Sequence, residues 1–236
     1  MNNSISVNNL ADPIARACDI LAEVARNRSA SYRYIALCLY PPDQELIGML
    51  ISRAVANALL QSTAWLGEEQ VRLIDAIIGL GNCTQISCES LSNEYSRLLE
   101  RGIERISPYE SSYRWQSAQD LINSSDDLRR ALQHQYLLRG VQATSGMEDH
   151  VAVEIEYLSF LCDKEATMWQ AKDHKAAHEL RSQERNFIND HLSHWLPEFC
   201  KKLNDRALIP FYQYVADFSD QWLSLDSGPG YQSLPR

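Results

Sequence analysis

An acidic and an imidazole side chain stand next to each other at Asp149 and His150, directly before a patterned apolar run. Such a pair can transfer protons, supply two metal ligands, or mark the start of a helix beside a docking surface. Acids in a first helical turn are stabilised by the helix dipole by about 0.3–1 kcal/mol, so a purely structural role also fits. Spacing alone leaves these possibilities open.

Two histidine pairs have spacings that metal sites use. His174 and His178 are at i and i+4, and His191 and His194 are at i and i+3 with Asp190 beside them. Each pair would share a helix face and could supply two ligands to one metal. A solvated, charged helix face explains them better, because no third or fourth ligand is evident. We therefore predict neither a metal nor a cofactor.

Composition and motifs narrow the class of protein. The chain has no G-x-S-x-G, H-E-x-x-H, P-loop or G-x-G-x-x-G motif, and its six cysteines form no C-x-x-C pair. The net charge is −9, so the chain lacks the basic excess that is expected of nucleic-acid binders. No apolar run approaches the roughly 18 residues of a membrane span, and the N-terminus does not resemble a signal peptide. These observations favour a reduced cytoplasmic protein and single out no catalytic residue.

Scarce glycine and proline and the absence of sustained two-residue alternation predict an all-α fold. We expect one globular domain of about nine to ten helices over residues 12–224. Residues 1–11 are predicted to be disordered and residues 225–236 to form a mobile tail. An aromatic, serine-rich loop within residues 103–124 would be the seam between two halves.

Helical signals place the first boundaries. Asp12 and Pro13 are typical of a helix start, and this first helix is expected to run to about Asn27. A second helix should end before Pro41, and a third should cover residues 43–60.

Apolar stripes predict the middle and last helices. A helix over residues 68–81 and one starting near residue 88 are expected, followed by a helix capped by Ser125 and closed by Gly140. The apolar stripe of the helix over 68–81 is Val71, Ile74 and Ile78, and that of the helix from residue 88 is Leu91, Tyr95, Leu98 and Leu99. The final helix has the stripe Phe211, Val215, Phe218 and Trp222.

Ser145 and Glu148 have the spacing of a capping box that would open a long helix beside Asp149. Residues 166–196 are expected to continue as helix. Aromatic residues of the loop, Tyr109, Tyr113 and Trp115, would either fill the core or line a binding groove, since tyrosine and tryptophan are frequent anchors at interfaces.

Several segments together resemble one family. Residues 94–114, EYSRLLERGIERISPYESSYR, resemble the E-Y-x-R-L-F…P-P-Y-x-S-x-Y segment of the TorD/DmsD family of redox-enzyme maturation chaperones. Residues 148–161 are similar to its E-P-x-D-H box and the helix that follows. Residues 187–203 and 210–223 are similar to its two last helices, and residues 34–50 also fit the pattern. The order and spacing of these segments together carry the resemblance over roughly residues 12–224. The sequence departs from the pattern at Gly146-Met147 in place of Glu-Pro, at Leu99 in place of phenylalanine, and at Ser107 in place of proline.

The resemblance implies a TorD-like, non-catalytic cytoplasmic chaperone. Such a protein binds the twin-arginine leader or the apo-form of a molybdopterin-dependent oxidoreductase, assists cofactor insertion and delays export. The partners implied are the apo catalytic subunit and its leader, without nucleic acid or stable membrane insertion, and the chaperone would be a monomer or a homodimer. The binding residues carried over are Tyr95, Leu98, Leu99, Pro108, Tyr109, Tyr113, Asp149 and His150.

The chemistry of those residues suggests a mode of binding. Asp149, with Glu148 nearby, would accept a leader arginine, and an apolar groove would take the apolar part of the leader as a helix. His150 would orient the carboxylate or make the contact depend on pH. The sequence leaves two alternatives open. One is a metal-dependent or nucleotide-hydrolysing enzyme built on the His-rich C-terminal helices, and the other is a permanent structural subunit of an oxidoreductase.

Overall fold

Eleven α-helices build the described residues, 13–62, 71–114 and 118–228, of the computed structural model. They are α1 (Pro13–Leu39), α2 (Gln44–Ser52), α3 (Ala54–Ser62), α4 (Val71–Asn82), α5 (Cys88–Tyr95), α6 (Ser111–Arg114), α7 (Ala118–Leu137), α8 (Val151–Gln170), α9 (His174–Asp190), α10 (Leu196–Arg206) and α11 (Pro210–Ser227). A π-helical turn, Ser96–Glu100, continues α5, and a short 3₁₀ turn, Leu192–His194, precedes α10. These ranges contain no β-strand, which confirms the all-α prediction. The expectations for residues 1–11, Asp12 and Trp115 lie outside the described residues.

The N-terminal helix is longer than predicted. Residues 13–39 form one helix, so the expected boundary at Asn27 was wrong. No proline or glycine interrupts this segment, and the Ser31 hydroxyl donates to the Asn27 carbonyl at 2.9 Å within the continuous helix. The helix ends before Pro41, as predicted, because a residue that precedes proline disfavours the helical conformation.

Two other predicted helices are each broken by a residue with a positive φ. Arg53, at φ 53°, separates α2 from α3 within the expected helix over 43–60. Lys172, at φ 60°, ends α8 within the expected helix over 166–196. Asp173 then caps α9 by accepting from the Ala176 amide at 3.0 Å. The cap at Asp173 therefore starts a new helix within residues 166–196, although the helical pattern continues through this stretch.

Helix α4 turns a different face to the core than the predicted one. Val71 and Ile78 are 52% and 44% exposed, and Ile74 is half-buried. Leu73 and Ile77 are fully buried instead. Both faces of this helix carry apolar residues, so periodicity did not identify the face that packs.

Further boundaries also differ from the prediction. Helix α7 begins at Ala118, so Ser125 lies inside the helix and does not cap it. Gly140 follows the helix end with φ +74°, a conformation that favours glycine. Helix α11 continues to Ser227, so the first residues of the expected tail, 225–227, are helical. The predicted stripe of α11 is buried at all four positions, Phe211, Val215, Phe218 and Trp222.

The core forms where α8 packs between α1 and α9, while α11 packs on α4 and α10. Trp195, Trp222, Phe187 and Phe199 are among its fully buried side chains. All six cysteines are free, and all but Cys88 are buried. The cysteines therefore pack as small apolar side chains, as expected from their positions.

A buried ion cluster ties four helices together around Arg28. Its guanidinium donates to Glu165 at 2.6 Å, to Glu184, and to Asp226 at 2.9 Å, and Arg181 adds a 2.8 Å contact to Asp226. Burial alone would raise the pKa of Asp226, but the two arginines lower it to about 2. Burial raises the pKa of Glu184 to about 7 despite the same arginines. The cluster fixes the relative positions of α1, α8, α9 and α11.

Candidate binding site

Two segments that are far apart in sequence cross immediately before α8. Tyr109 and His150 form an isolated antiparallel bridge. On either side of it, the Glu110 amide donates to the Asp149 carbonyl at 2.9 Å and the Val151 amide to the Pro108 carbonyl at 2.8 Å. The structure thus joins four of the eight predicted site residues, Pro108, Tyr109, Asp149 and His150, in one crossing.

Asp149 is fully buried, and its carboxylate already has partners within the chain. It accepts the Ser111 backbone amide at 3.1 Å and the Arg129 Nε at 3.0 Å. These bonds attach α6 and α7 to the start of α8. A leader arginine would have to displace Arg129 to reach this carboxylate, so the geometry favours a positioning role for Asp149.

His150 caps α8 through its side chain. Its Nδ1 accepts the Ala152 amide at 3.2 Å, which makes Nε2 the protonated nitrogen of the neutral ring. Burial lowers the pKa of His150 to about 4, against the opposite effect of Asp149. The ring stacks on Tyr40 at a centroid distance of 6.2 Å and meets the Tyr109 ring edge-on at 5.2 Å. His150 therefore stays neutral near pH 7, and its Nδ1 faces the backbone instead of the Asp149 carboxylate.

The predicted capping box does not form. Helix α8 begins at Val151, several residues after Ser145, and Glu148 accepts the Gly146 amide at 2.9 Å within a turn. Gly146 has φ +85°, which explains a glycine at the point where the family pattern has another residue. Met147 continues the turn by donating its amide to the Thr144 carbonyl at 2.9 Å.

A pair of buried carboxyl groups, which no sequence motif indicates, lies beneath the crossing. Glu110 is fully buried and accepts from Arg114 and from His191 Nδ1 at 3.0 Å. Glu154 is also fully buried and accepts the Trp195 Nε1 at 3.3 Å. Burial and the neighbouring Glu110 raise the pKa of Glu154 well above its usual value, which favours its protonated form. The pairing of His191 with Glu110 assigns that histidine to this cluster.

An open groove runs beside the crossing, along the outer face of α8. Its cavity volume is about 270 Å³, and its walls include Tyr40, Val141, Met147, Val153, Tyr157 and Phe160. One exposed carboxylate, Glu156, also lines it and accepts the Tyr40 hydroxyl at 2.8 Å. Because Tyr40 also stacks on His150, the crossing positions one wall of the groove. The groove combines apolar and aromatic surface with one acidic side chain, Glu156, among its described lining residues.

The other four predicted site residues pack on neighbouring elements, where Tyr95, Leu98 and Leu99 are buried and Tyr113 is half-buried. Tyr95, Leu98 and Leu99 are between 1% and 5% exposed and belong to the core. Tyr113 packs on Trp195 at a ring centroid distance of 5.3 Å, and its hydroxyl donates to the Ser107 carbonyl. In this conformation these four residues make packing contacts. A role in binding stays a prediction for these four residues.

The histidines flagged by spacing do not converge on one site. His174 Nε2 lies 3.4 Å from Cys18 Sγ, and the His178 ring meets Trp169 edge-on at 5.0 Å. Within residues 13–62, 71–114 and 118–228, no group of three or more His, Cys, Asp or Glu side chains is arranged to hold a metal ion. In the same ranges, no helix has the length and apolar character needed to cross a membrane.

Comparisons with known proteins place the chain in a family. The model of the family described as nitrate reductase delta subunit matches residues 61–201, more than half of the chain. The chain is 32% identical over 79 residues to the chaperone protein TorD of Colwellia psychrerythraea, covering 34% of this chain and 28% of that protein. It is 38% identical over 55 residues to the selenate reductase assembly chaperone protein of Thauera selenatis, covering 23% and 28% of the two chains.

A longer match extends over most of a third relative. The chaperone protein TorD of Shewanella loihica is 28% identical over 163 residues, which cover 66% of this chain and 70% of that protein. No solved structure matches the chain significantly. The family match and these relatives agree with the resemblance carried by residues 94–114 and 148–161. The chain therefore belongs to the TorD/DmsD family of redox-enzyme maturation chaperones, whose members are chaperones and not enzymes.

Proposed function

We propose that this protein is a cytoplasmic maturation chaperone for a molybdopterin-dependent oxidoreductase, whose twin-arginine leader it binds in the groove beside α8. The proposal rests on one observation above others. A chain of a chaperone family has, next to its Tyr109–His150 crossing, an open aromatic groove of about 270 Å³ with one exposed acid. Binding there would keep the apo-form of the client from export while cofactor is inserted.

The groove has the chemistry that such a leader needs. A twin-arginine leader combines a basic stretch with an apolar segment. Glu156 offers a carboxylate at the rim, and the half-buried Phe160 offers apolar aromatic surface beside it. Val153 and Met147 extend the apolar surface for the second part of the leader.

The crossing supports this groove from inside. Asp149 holds α6 and α7 against the start of α8, and His150 caps that helix while stacking on Tyr40. In this proposal the Asp-His pair positions the groove wall, and the arginine of the leader meets Glu156. A substitution at Asp149 would weaken leader binding indirectly, through the crossing.

Calorimetry with a synthetic peptide tests the proposal. The peptide carries an Arg-Arg pair followed by an apolar segment, and a second peptide replaces the arginines with glutamines. Glu156→Gln is expected to weaken the arginine peptide about tenfold, the loss of one charge-assisted contact worth about 1.4 kcal/mol. Phe160→Ala is expected to weaken both peptides, because it removes apolar surface from the groove.

A matched control lies on the same helix. Asp163 is exposed two turns beyond Glu156, so Asp163→Asn should leave binding of both peptides unchanged. Equal affinity of wild type, Glu156→Gln and Phe160→Ala for the arginine peptide would remove the groove from the proposal. Stable co-purification with the mature, cofactor-loaded oxidoreductase would instead identify a permanent subunit.

A further inference from the structure

The π-helical turn after α5 ends in a loop, residues 101–105, whose residues are all exposed. The Arg101 amide donates to the Ser96 carbonyl at 2.8 Å, and the Ile106 amide donates to the Leu98 carbonyl at 2.7 Å. Gly102 takes φ +99° between them, and a Cβ there would meet nothing within 4 Å. These bonds fix both ends of the loop over residues 101–105, so it projects in a defined shape.

Two of the most exposed apolar side chains of the described structure lie in this region. Ile103, at the tip of the loop, is 103% exposed, and Leu208, in the connection between α10 and α11, is 75% exposed. Apolar side chains displayed on well-ordered turns leave a favourable burial unrealised in the free protein. They are suitable anchors for a partner.

The two connections form one surface. The Arg206 guanidinium donates to the Glu104 carbonyl, and Arg97 donates to the Arg206 carbonyl at 2.7 Å. Arg97 also pairs with Glu94 through two bonds of 2.7 and 2.8 Å, and Glu94 accepts the Leu208 amide at 2.6 Å. The positions of the two exposed apolar residues are thereby linked through a hydrogen-bonded network.

This surface is basic on an acidic protein. A cavity of about 700 Å³ is lined by Arg97, Arg101, Arg105 and Arg206, with Glu104 as the one carboxylate residue among its described lining residues. The Arg101 guanidinium makes no hydrogen bond or ion pair within the described part of the chain, and Arg105 reaches only the Glu100 carbonyl, at 3.4 Å. The chain as a whole has a net charge of −9. At least two cations of this surface are thus available to an incoming group.

We propose that this arginine surface, formed by Arg97, Arg101, Ile103, Arg105, Arg206 and Leu208, docks an acidic amphipathic segment of a partner protein. Carboxylates of that segment pair with Arg101 and Arg105, and its apolar side chains cover Ile103 and Leu208. Arginine and apolar anchors together are typical of the centre of protein interfaces. The exposed apolar pair distinguishes this partner from a free phosphate compound, which would leave Ile103 uncovered.

The arginine surface and the leader groove share no lining residue, and they attract segments of opposite charge. The groove presents Glu156 to a basic segment, whereas the arginine surface attracts an acidic one. A partner could therefore be held at two places by two kinds of segment. Variants of one site should leave binding at the other unchanged, so failure of this inference is distinguishable from failure of the leader proposal.

Fluorescence anisotropy with a labelled helical peptide, glutamates on one face and leucines on the other, tests the inference at low salt. Wild type is expected to bind this peptide saturably and to bind its glutamine counterpart at least tenfold more weakly. The double variant Arg101→Glu/Arg105→Glu and the single variant Ile103→Ser are each expected to weaken the glutamate peptide at least tenfold. Added salt should weaken the wild-type complex, because exposed charge pairs are screened.

The control reverses two exposed charges elsewhere. Arg130 and Lys175 have side chains 77% and 88% exposed, so Arg130→Glu/Lys175→Glu matches the change in net charge and should bind like wild type. Absence of saturable binding, or an equal loss in the control, would overturn the inference. The inference would also be overturned if pyrophosphate competed with the peptide and Ile103→Ser bound the peptide like wild type, because those two results would indicate a phosphate site. Wild-type self-association abolished by Arg101→Glu/Arg105→Glu in sedimentation would identify a second copy of the chain as the occupant.

Discussion

Asp149 and Arg129 form an ion pair at 3.0 Å, in which the carboxylate is fully buried and the arginine side chain is one-third exposed. The same carboxylate accepts the Ser111 amide at 3.1 Å. One acidic side chain thus connects α6, α7 and the start of α8. The residue that the family resemblance marks as a binding residue is, in this conformation, a structural junction.

Asp149→Ala is therefore expected to destabilise the fold by about 2–3 kcal/mol, since it leaves a buried amide donor and a half-buried guanidinium without their acceptor. Urea unfolding followed by circular dichroism measures this difference. Asp126 is the control, because it also pairs with Arg129, at 3.3 Å, but is 73% exposed. Asp126→Ala should change stability by less than about 0.5 kcal/mol. A loss of leader binding in Asp149→Ala without a loss of stability would contradict the junction role.

The neutral His150 makes the fold sensitive to acid. Its pKa is lowered to about 4 by burial, below the usual 6.5. Above pH 6.5 the folded and unfolded chains both carry the neutral ring, and the full stability is present. As pH falls from 6.5 to 4, the unfolded chain takes up the proton first, so this group removes about 3 kcal/mol of stability over that window.

His150→Asn isolates this contribution. Asparagine is a favourable N-cap and does not titrate, so the variant keeps the start of α8 while losing the imidazole. Its stability should fall less than that of wild type between pH 6.5 and 4, and the two curves should converge on acidification. Parallel curves over this range would mean that His150 is not buried as a neutral ring.

Periodicity predicted the elements whose apolar residues fill one face only. The stripe of α11 was identified because its four apolar positions all face the core. The buried face of α4 was not identified, because tertiary contacts decide which face packs. At Gly79, a Cβ would clash with the Tyr214 ring of α11, so the two helices approach closely there. Such close approach selects one of two apolar faces, and no pattern within α4 records it.

The site was predictable in composition but not in its contacts. The resemblance brought Tyr109 and His150 together, and the structure pairs them. The partners of Asp149, however, lie 38 and 20 residues away, and a carboxylate beside a histidine carries no sign of either. The capping box at Ser145 was wrong because His150 caps α8 with its ring, an uncommon cap that helix-start rules do not score.

Glu154 should have the opposite pH dependence to His150. Burial and Glu110 raise its pKa well above 4.5, so it stays protonated in the folded chain after the unfolded chain has ionised. Its contribution to stability is present below pH 4.5 and is lost as pH rises toward its folded pKa. Glu154→Gln keeps a neutral group of the same shape, so its stability relative to wild type should increase from pH 4 to pH 8.

Unfolding measured across that range tests the prediction. If the Glu154→Gln difference did not vary with pH, Glu154 would be ionised in the folded protein. Two buried carboxylates would then lie next to each other, with Arg114 as the arginine that pairs with Glu110.

The ion cluster around Arg28 depends on the shape of its guanidinium. Three nitrogens of Arg28 reach three different carboxylates, on α8, α9 and α11, from a side chain that is 2% exposed. A lysine has one ammonium in place of this planar fork and cannot reach all three acceptors. Arg28→Lys is therefore expected to cost about 3 kcal/mol, because it removes charge-assisted hydrogen bonds from buried carboxylates. Arg26→Lys, on an exposed position of the same helix, should cost less than about 0.5 kcal/mol in the same urea titration. Equal midpoints for the two variants would show that charge alone holds the four helices together, without the directional bonds of the fork.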